Sequence, residues 1–215
     1  MLLALDSATR TMGVALHDGS AILAESIWHH PGHHTPQLAP EVAILLRRAG
    51  VLPSALTAVA VALGPGSFNG LRVGLALAKG LALAHGLSLV GVPTLDILAF
   101  GQPRRDHPML AVIEAGRGRA AGVWYKWGRG SWKAQGQAEG FHWDELPERL
   151  SQITYLCGEI APARREGLAA EKRLVLAPPW LCLRRPAVLA ELALERLHAR
   201  KGDDPAKLAP IYLHD

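Results

Sequence analysis

The sequence predicts an α/β chain folded as two similar lobes, each a mixed sheet flanked by helices. Three observations carry that prediction. Short Ala/Val/Leu/Ile runs alternate with longer stretches of helical period. The order strand, acid, turn, strand occurs twice, over residues 2–16 and again over 110–125. Between the two lies a polar Pro/Arg stretch at 101–107, the expected breakpoint. The expected domains are 1–103 and 104–215, with the tail of the second packing back on the first.

Residues 2–6 read as a buried strand with Asp6 at its tip, 12–16 as a second and 22–28 as a third, joined by polar turns into an antiparallel meander. Residues 37–49 read as a helix, because Leu38, Val42, Leu45, Leu46 and Ala49 form one stripe and Gly50 suits the position after its end. The run 56–63 is almost wholly Ala, Val and Leu, which suits a strand buried on both faces. A glycine-rich loop and a helix over 70–85 follow, then a strand at 89–92 and a helix opened by Pro93 or Thr94. In the second half, 111–114 reads as a strand ending in Glu114, 115–118 as a turn and 120–127 as a strand. Short helices and strands alternate from Leu146 onward. Residues 186–200 form an amphipathic helix, and 205–212 an extended tail.

A chain of 215 residues and 23.0 kDa buries roughly 70% of its unfolded surface, enough to dispense with disulfide or metal staples. With 49% hydrophobic and 20% charged residues, long disorder is excluded. Two cysteines, Cys157 and Cys182, make neither a disulfide framework nor a metal cluster. The N-terminus enters a strand-like run with no basic leader, so a cytoplasmic protein is expected. The most apolar window, 71–92, contains Arg72 and Lys79. A lysine at mid-bilayer costs about 2.5–3.5 kcal/mol, so this window reads as a buried or interface helix and no membrane partner is expected. The net charge of +4 permits contact with RNA without requiring it.

The segment Gly64-Pro65-Gly66-Ser67-Phe68-Asn69-Gly70-Leu71-Arg72-Val73-Gly74 stands between a buried strand and a helix. Its glycines allow close backbone approach, and the helix start offers free N–H groups. No Lys-Ser/Thr pair follows, which excludes a P-loop, and Asn69 stands where a dinucleotide fingerprint needs glycine. In the helix, Gly70, Gly74, Ala78 and Ala82 recur every four residues on one face. Such a face lets another backbone come close, either a second chain or the rest of the same lobe.

This segment resembles the signature of the bacterial TsaB (YeaZ) family. Leu3-Ala4-Leu5-Asp6-Ser7-Ala8, Gly91-Val92-Pro93-Thr94-Leu95, Ala111-Val112-Ile113-Glu114-Ala115-Gly116-Arg117-Gly118 and Pro210-Ile211-Tyr212-Leu213 add to the likeness, although Asn69 replaces the usual Thr. The resemblance implies the two-lobed actin/Hsp70/sugar-kinase-like (ASKHA) fold and a role in forming threonylcarbamoyladenosine at position 37 of tRNA. It implies a non-catalytic scaffold subunit that dimerises with a catalytic sister, TsaD, and works with an ATPase, TsaE. The tRNA is met indirectly, and a homodimer forms when the subunit is alone. ATP and a divalent metal are expected on the partner subunits and no cofactor on this chain. Carried onto this sequence, the pairing surface comprises Leu38, Val42 and Leu45 with Gly64, Gly66, Ser67, Phe68, Gly70, Leu71, Arg72, Gly74 and Ala78. The sister's metal-binding histidine pair has no equivalent in 93–99, so no catalytic or metal residue is expected.

Two other activities bear on the same residues. Asp6 and Ser7, with Glu114 as their counterpart in the second lobe, stand where a phosphotransferase or ATPase of this fold handles phosphate and metal; the bland reading is a relic cleft whose acids cap turns. A metallopeptidase lacks His-Glu-x-x-His. His29, His30, His33 and His34 surround Pro31-Gly32 and read as a solvated loop or a helix entry with Thr35 as N-cap, not a metal site. The stretch 124–133 interleaves tryptophans with cations and reads as a hairpin turning at 128–131, or as a surface for stacking bases and meeting phosphates. Arg104-Arg105, Arg164-Arg165 and Arg184-Arg185 read as solvated surface, or as tRNA-facing.

Overall fold

A computed structural model describes residues 1–30, 37–199 and 202–213. Along the chain the elements are β1 (Leu2–Asp6), β2 (Thr11–His17), β3 (Ile22–His29), α1 (Leu38–Arg48), β4 (Ala58–Ala62), α2 (Phe68–His85), β5 (Ser88–Val92) and α3 (Thr94–Phe100). They continue with β6 (Met109–Gly116), β7 (Arg119–Gly128), β8 (Ser131–Ala134), β9 (Glu139–His142), α4 (Leu146–Arg149), β10 (Thr154–Gly158), α5 (Pro162–Leu168), β11 (Leu174–Leu176) and α6 (Pro186–His198). The chain divides into two compact units, Met1–Ile97 with Arg185–Tyr212, and Leu98–Arg184 with Leu213–Asp215. The boundary falls inside α3, and α6 joins the first unit. This differs from the sequence division at 103/104, because the apolar face of α6 matches the first sheet.

The first sheet runs β3-β2-β1-β4-β5. β1 is antiparallel to β2 and parallel to β4; β2–β3 is antiparallel and β4–β5 parallel. The second runs β8-β7-β6-β10-β11, with β9 also paired to β7. There β6 is antiparallel to β7 and parallel to β10, while β7–β8 is antiparallel and β10–β11 parallel. Strand for strand the order and directions repeat, as the doubled sequence pattern predicts.

Strands β1, β2, β4 and β5 of the first sheet are buried on both faces, β3 at its edge only partly, and their alternation sorts large from small. Leu3, Leu5, Val14, Leu16, Val59 and Val61 pack beneath the buried stripes of α1 and α2. Leu2, Ala4, Ala15, Ala60 and Ala62 meet Leu189, Ala190 and Ala193 of α6. Small residues on that face let α6 sit close to the sheet. Glu25 of β3 accepts from the N–H of Ala187 (2.9 Å) and pairs with Arg185, so a neighbouring strand caps the start of α6. Gly50 ends α1 with φ +65°, as expected. In the second unit Leu110, Val112, Ala120, Phe141, Trp143 and Leu156 form the core on one side of the sheet.

Arg184 departs from the expectation of a solvated surface. It is buried and its guanidinium pairs with Glu159. A buried guanidinium needs such a partner, and one 25 residues away leaves no local trace in sequence.

Candidate functional site

The glycine segment is shaped by the turn after β1. Ser67 donates its N–H to the Ala8 carbonyl (2.6 Å) and its hydroxyl accepts from the N–H of Gly70 (3.4 Å), capping α2. Ser7 donates its hydroxyl to the Gly70 carbonyl (2.8 Å). A Cβ on Gly66 would collide with the Ala8 carbonyl, one on Gly70 with the Ser7 carbonyl, and one on Gly74 with the Ser7 hydroxyl. Gly64, at φ +117°, exchanges two hydrogen bonds with Thr94: its N–H donates to the Thr94 hydroxyl (3.0 Å) and its carbonyl accepts the Thr94 N–H (2.8 Å).

These contacts overturn the expected pairing face. Gly70, Gly74, Ala78 and Ala82 are sealed against their own lobe, and Leu71 is buried with them. Leu38, Val42 and Leu45 lie in the core beneath the same helices. The spacing was read correctly as a close approach, but the approaching backbone belongs to this chain. Of the expected surface, Gly66, Ser67, Phe68 and Arg72 remain exposed.

The opposite face of α2 is the one left open. Val73 is 38% exposed and Leu83 75% exposed, with half-buried Leu77 between them. Ala76, Gly80 and Ala84 are exposed on the same side, again four residues apart, and nothing lies within 4 Å of a Cβ built on Gly80. The C-terminal tail reaches the start of this face. Asp203 accepts from the N–H of Gly91 (2.7 Å) and pairs with Arg196 (2.9 Å), and Ile211 donates its N–H to the Leu63 carbonyl (2.7 Å). Tyr212 then lies 5.2 Å from the Phe68 ring, and its hydroxyl accepts from Arg72 Nε (3.2 Å). The Arg72 guanidinium sits 3.6 Å above the Phe68 ring centroid. Sequence reading placed Phe68 and Arg72 on the pairing surface but not Tyr212, 140 residues beyond Arg72. It also missed the open stripe, for which the second small-residue spacing, 76-80-84, was the available signal.

Asp6 is buried, and its carboxylate accepts the N–H of Ala8 (2.9 Å). Glu114 accepts the N–H of Ala161 (3.1 Å). Asp6 therefore holds the turn after β1, and Glu114 ties the end of β6 to the start of α5. Burial pushes the Cys157 thiol well above its usual range, so it stays protonated and a poor nucleophile. Among the described residues no three His, Cys, Asp or Glu groups converge on a point that would hold a metal ion. His33 and His34, with Thr35, lie outside the described residues; His29 ends β3. No helix among the described residues is long and apolar enough to cross a membrane.

The stretch 124–133 forms the β7–β8 hairpin, with Arg129 (φ +52°) and Gly130 (φ +81°) at the turn. Trp127 and Trp132 meet edge to face at 5.4 Å. Arg105 lies over Tyr155, Arg164 over Trp143, and Arg104 near Asp106 at 3.8 Å.

Comparison with known proteins adds four findings. The family model for TsaD, tRNA N6-adenosine threonylcarbamoyltransferase, matches residues 28–139. The tRNA threonylcarbamoyladenosine biosynthesis protein TsaB of Escherichia coli is 32% identical over 158 residues, 71% of this chain and 67% of that protein. TsaB of Bacillus subtilis is 32% identical over 129 residues, 60% of this chain but only 56% of the relative. The solved structure of YeaZ from Pseudomonas aeruginosa superposes with a TM-score of 0.76 at 27% identity, covering 98% of this chain and 99% of that one.

Proposed function

The chain belongs to the TsaB (YeaZ) family, and from that premise we propose that it is a non-catalytic scaffold subunit in the formation of threonylcarbamoyladenosine on tRNA. It pairs with the transferase TsaD through the open face of α2. The observation that carries this reading is the stripe Val73, Ala76, Gly80, Leu83 and Ala84, which is apolar, free of charge and unfilled at Gly80. An exposed apolar stripe around a bulk-free notch fits a facing helix backbone. A TsaD-type occupant is supported by the family model, which describes the transferase yet matches the segment holding α1 and α2. A sister built on the same segment presents a helix of the same kind.

A stable contact buries about 800 Å² on each partner, more than the stripe alone offers, so Phe68 and Arg72 at its N-terminal end belong to the surface. In the absence of the sister, two copies of this chain pair through the same stripe. TsaE joins the assembly through the sister, which also presents the tRNA for reaction, and ATP and the divalent metal sit on those partners. A phosphotransferase would need Asp6 and Glu114 to face phosphate and metal. Each instead accepts a backbone N–H beside it.

The test is binding to the purified sister transferase, measured by calorimetry. Gly80→Leu fills the notch and Leu83→Glu places a charge in the stripe. Each is expected to weaken pairing at least about tenfold, which is about 1.4 kcal/mol. Unchanged affinity in both variants sinks the reading.

A further inference from the structure

The β7–β8 hairpin carries a feature that pairing does not use. Trp124 and Lys126 are two apart on β7 and so project from one face, and Lys133 of β8 stands directly opposite Lys126. Both lysines are exposed, and among the described residues neither has an ion-pair partner. Like charges placed opposite each other work against a sheet unless an anion lies across them.

The same face opens into a shallow depression of about 60 Å³ whose lining includes Trp124, Gln135, Gln137, Glu139, Phe141 and Arg149. Arg149 is held over the Phe141 ring (5.0 Å) and paired with Glu145 (3.1 Å) and Glu139 (3.5 Å). Its single charge is met by two carboxylates within the protein, whereas neither lysine charge is met by one. The depression is too small to enclose a base. It leaves the half-buried Trp124 as a platform, with the Gln135 and Gln137 amides at its side.

We propose that this face binds one nucleotide of single-stranded RNA, its base lying on Trp124 across the mouth of the depression and its phosphate between Lys126 and Lys133. Residues two apart on a strand are separated by roughly 6.6 Å, comparable to the base-to-phosphate span of a nucleotide. Opposed residues lie roughly 5 Å apart, close enough for two ammonium groups to share one phosphate. The amides supply donors and acceptors to a base edge. An acidic peptide would use the lysines but leave the aromatic platform idle, so RNA is the better match. The proposal rests on the scaffold reading only for the identity of that RNA, a tRNA.

The experiment is fluorescence anisotropy with the full chain and a fluorescein-labelled, unmodified tRNA transcript, read at several salt concentrations. The double variant Lys126→Ala/Lys133→Ala is expected to bind about tenfold more weakly at low salt. The slope of log affinity against log salt should fall by about 0.7, for the one phosphate that the two lysines share. Trp124→Leu, which keeps an apolar contact with the core, is expected to lose about tenfold, with Trp124→Phe restoring most of it. All three variants should pair with the transferase as the natural chain does. Absence of tRNA binding by the natural chain, or unchanged affinity and slope in the lysine variant, overturns the proposal. Loss of tRNA binding in the lysine variant alongside normal pairing of Leu83→Glu would instead sink the scaffold reading and leave this one standing.

Discussion

The two faces of α2 carry the same spacing and opposite fates. Gly70, Gly74, Ala78 and Ala82 are buried against the β1 turn and β4, and a side chain on either glycine would strike Ser7. Ala76, Gly80 and Ala84 look outward, with no atom within 4 Å of the missing Cβ at Gly80. On the first face the absence of bulk is repaid inside the lobe. On the second it is not, although a glycine inside a helix costs about 0.8–1 kcal/mol relative to alanine. A repeat of small residues therefore announces a close approach without naming the neighbour. The neighbour is identified by asking which face the chain itself already covers.

The largest effect comes from violating the covered face. Gly74→Arg drives a long charged side chain into the Ser7 hydroxyl and the interior of the lobe. Overpacking and the desolvation of a charge together should destabilise the lobe by more than about 3 kcal/mol, read as loss of soluble protein or of most of the urea stability. A Gly74→Arg chain that folds normally would erase the distinction between the faces. Leu83→Glu is the converse. With its side chain mostly in solvent, stability should stay within about 0.5 kcal/mol in urea titration, while pairing fails. A large stability loss at Leu83 would mean that the open face is covered in the monomer.

Much of the fold was legible because its signals are local. The run 58–62 is apolar throughout and becomes a central strand buried on both faces, and the strand-acid-turn-strand order foretold two sheets of one topology. What escaped lies in pairings between distant parts of the chain. The stripe on α6 was visible, but its docking on the first sheet depends on Ala4, Ala60 and Ala62, more than a hundred residues earlier. Arg184 and Arg185 look alike in sequence, yet one is buried against Glu159 and the other pairs with Glu25 at the surface. At the candidate site, Ser67, Phe68 and Arg72 were read from the motif. The face was misassigned because both spacings on α2 satisfy the same rule, and only the position of Ser7 separates them.

Gly80→Ala sharpens the comparison by separating signs. The added methyl meets nothing in the monomer and removes the glycine's flexibility from the unfolded chain, so stability should rise by about 0.8–1 kcal/mol. Pairing should weaken several-fold, because the notch is partly filled. The same substitution at Gly74 should lower stability by about 1–3 kcal/mol, since its methyl meets the Ser7 hydroxyl. Two identical changes six residues apart, one stabilising and one destabilising in urea titrations, would separate the faces without reference to any partner. Equal signs would remove the distinction.

The smallest effect is expected where the tail meets the open face. Tyr212→Phe keeps the ring beside Phe68 and removes only the oxygen that accepts from Arg72 Nε. Arg72 remains held over the Phe68 ring, so its position does not hang on that one bond. The Arg72 and Phe68 side chains are exposed, and a hydrogen bond open to water contributes about 0.5–1 kcal/mol at most. Stability in urea should fall by no more than that, and affinity for the transferase by less than threefold. Tyr212→Ala, which also removes the ring, should cost more on both measures. A tenfold loss of pairing from Tyr212→Phe alone would mean that the hydroxyl aims Arg72 at the partner. Recognition would then be centred on the Phe68–Arg72–Tyr212 cluster, with the Gly80 stripe as its flank.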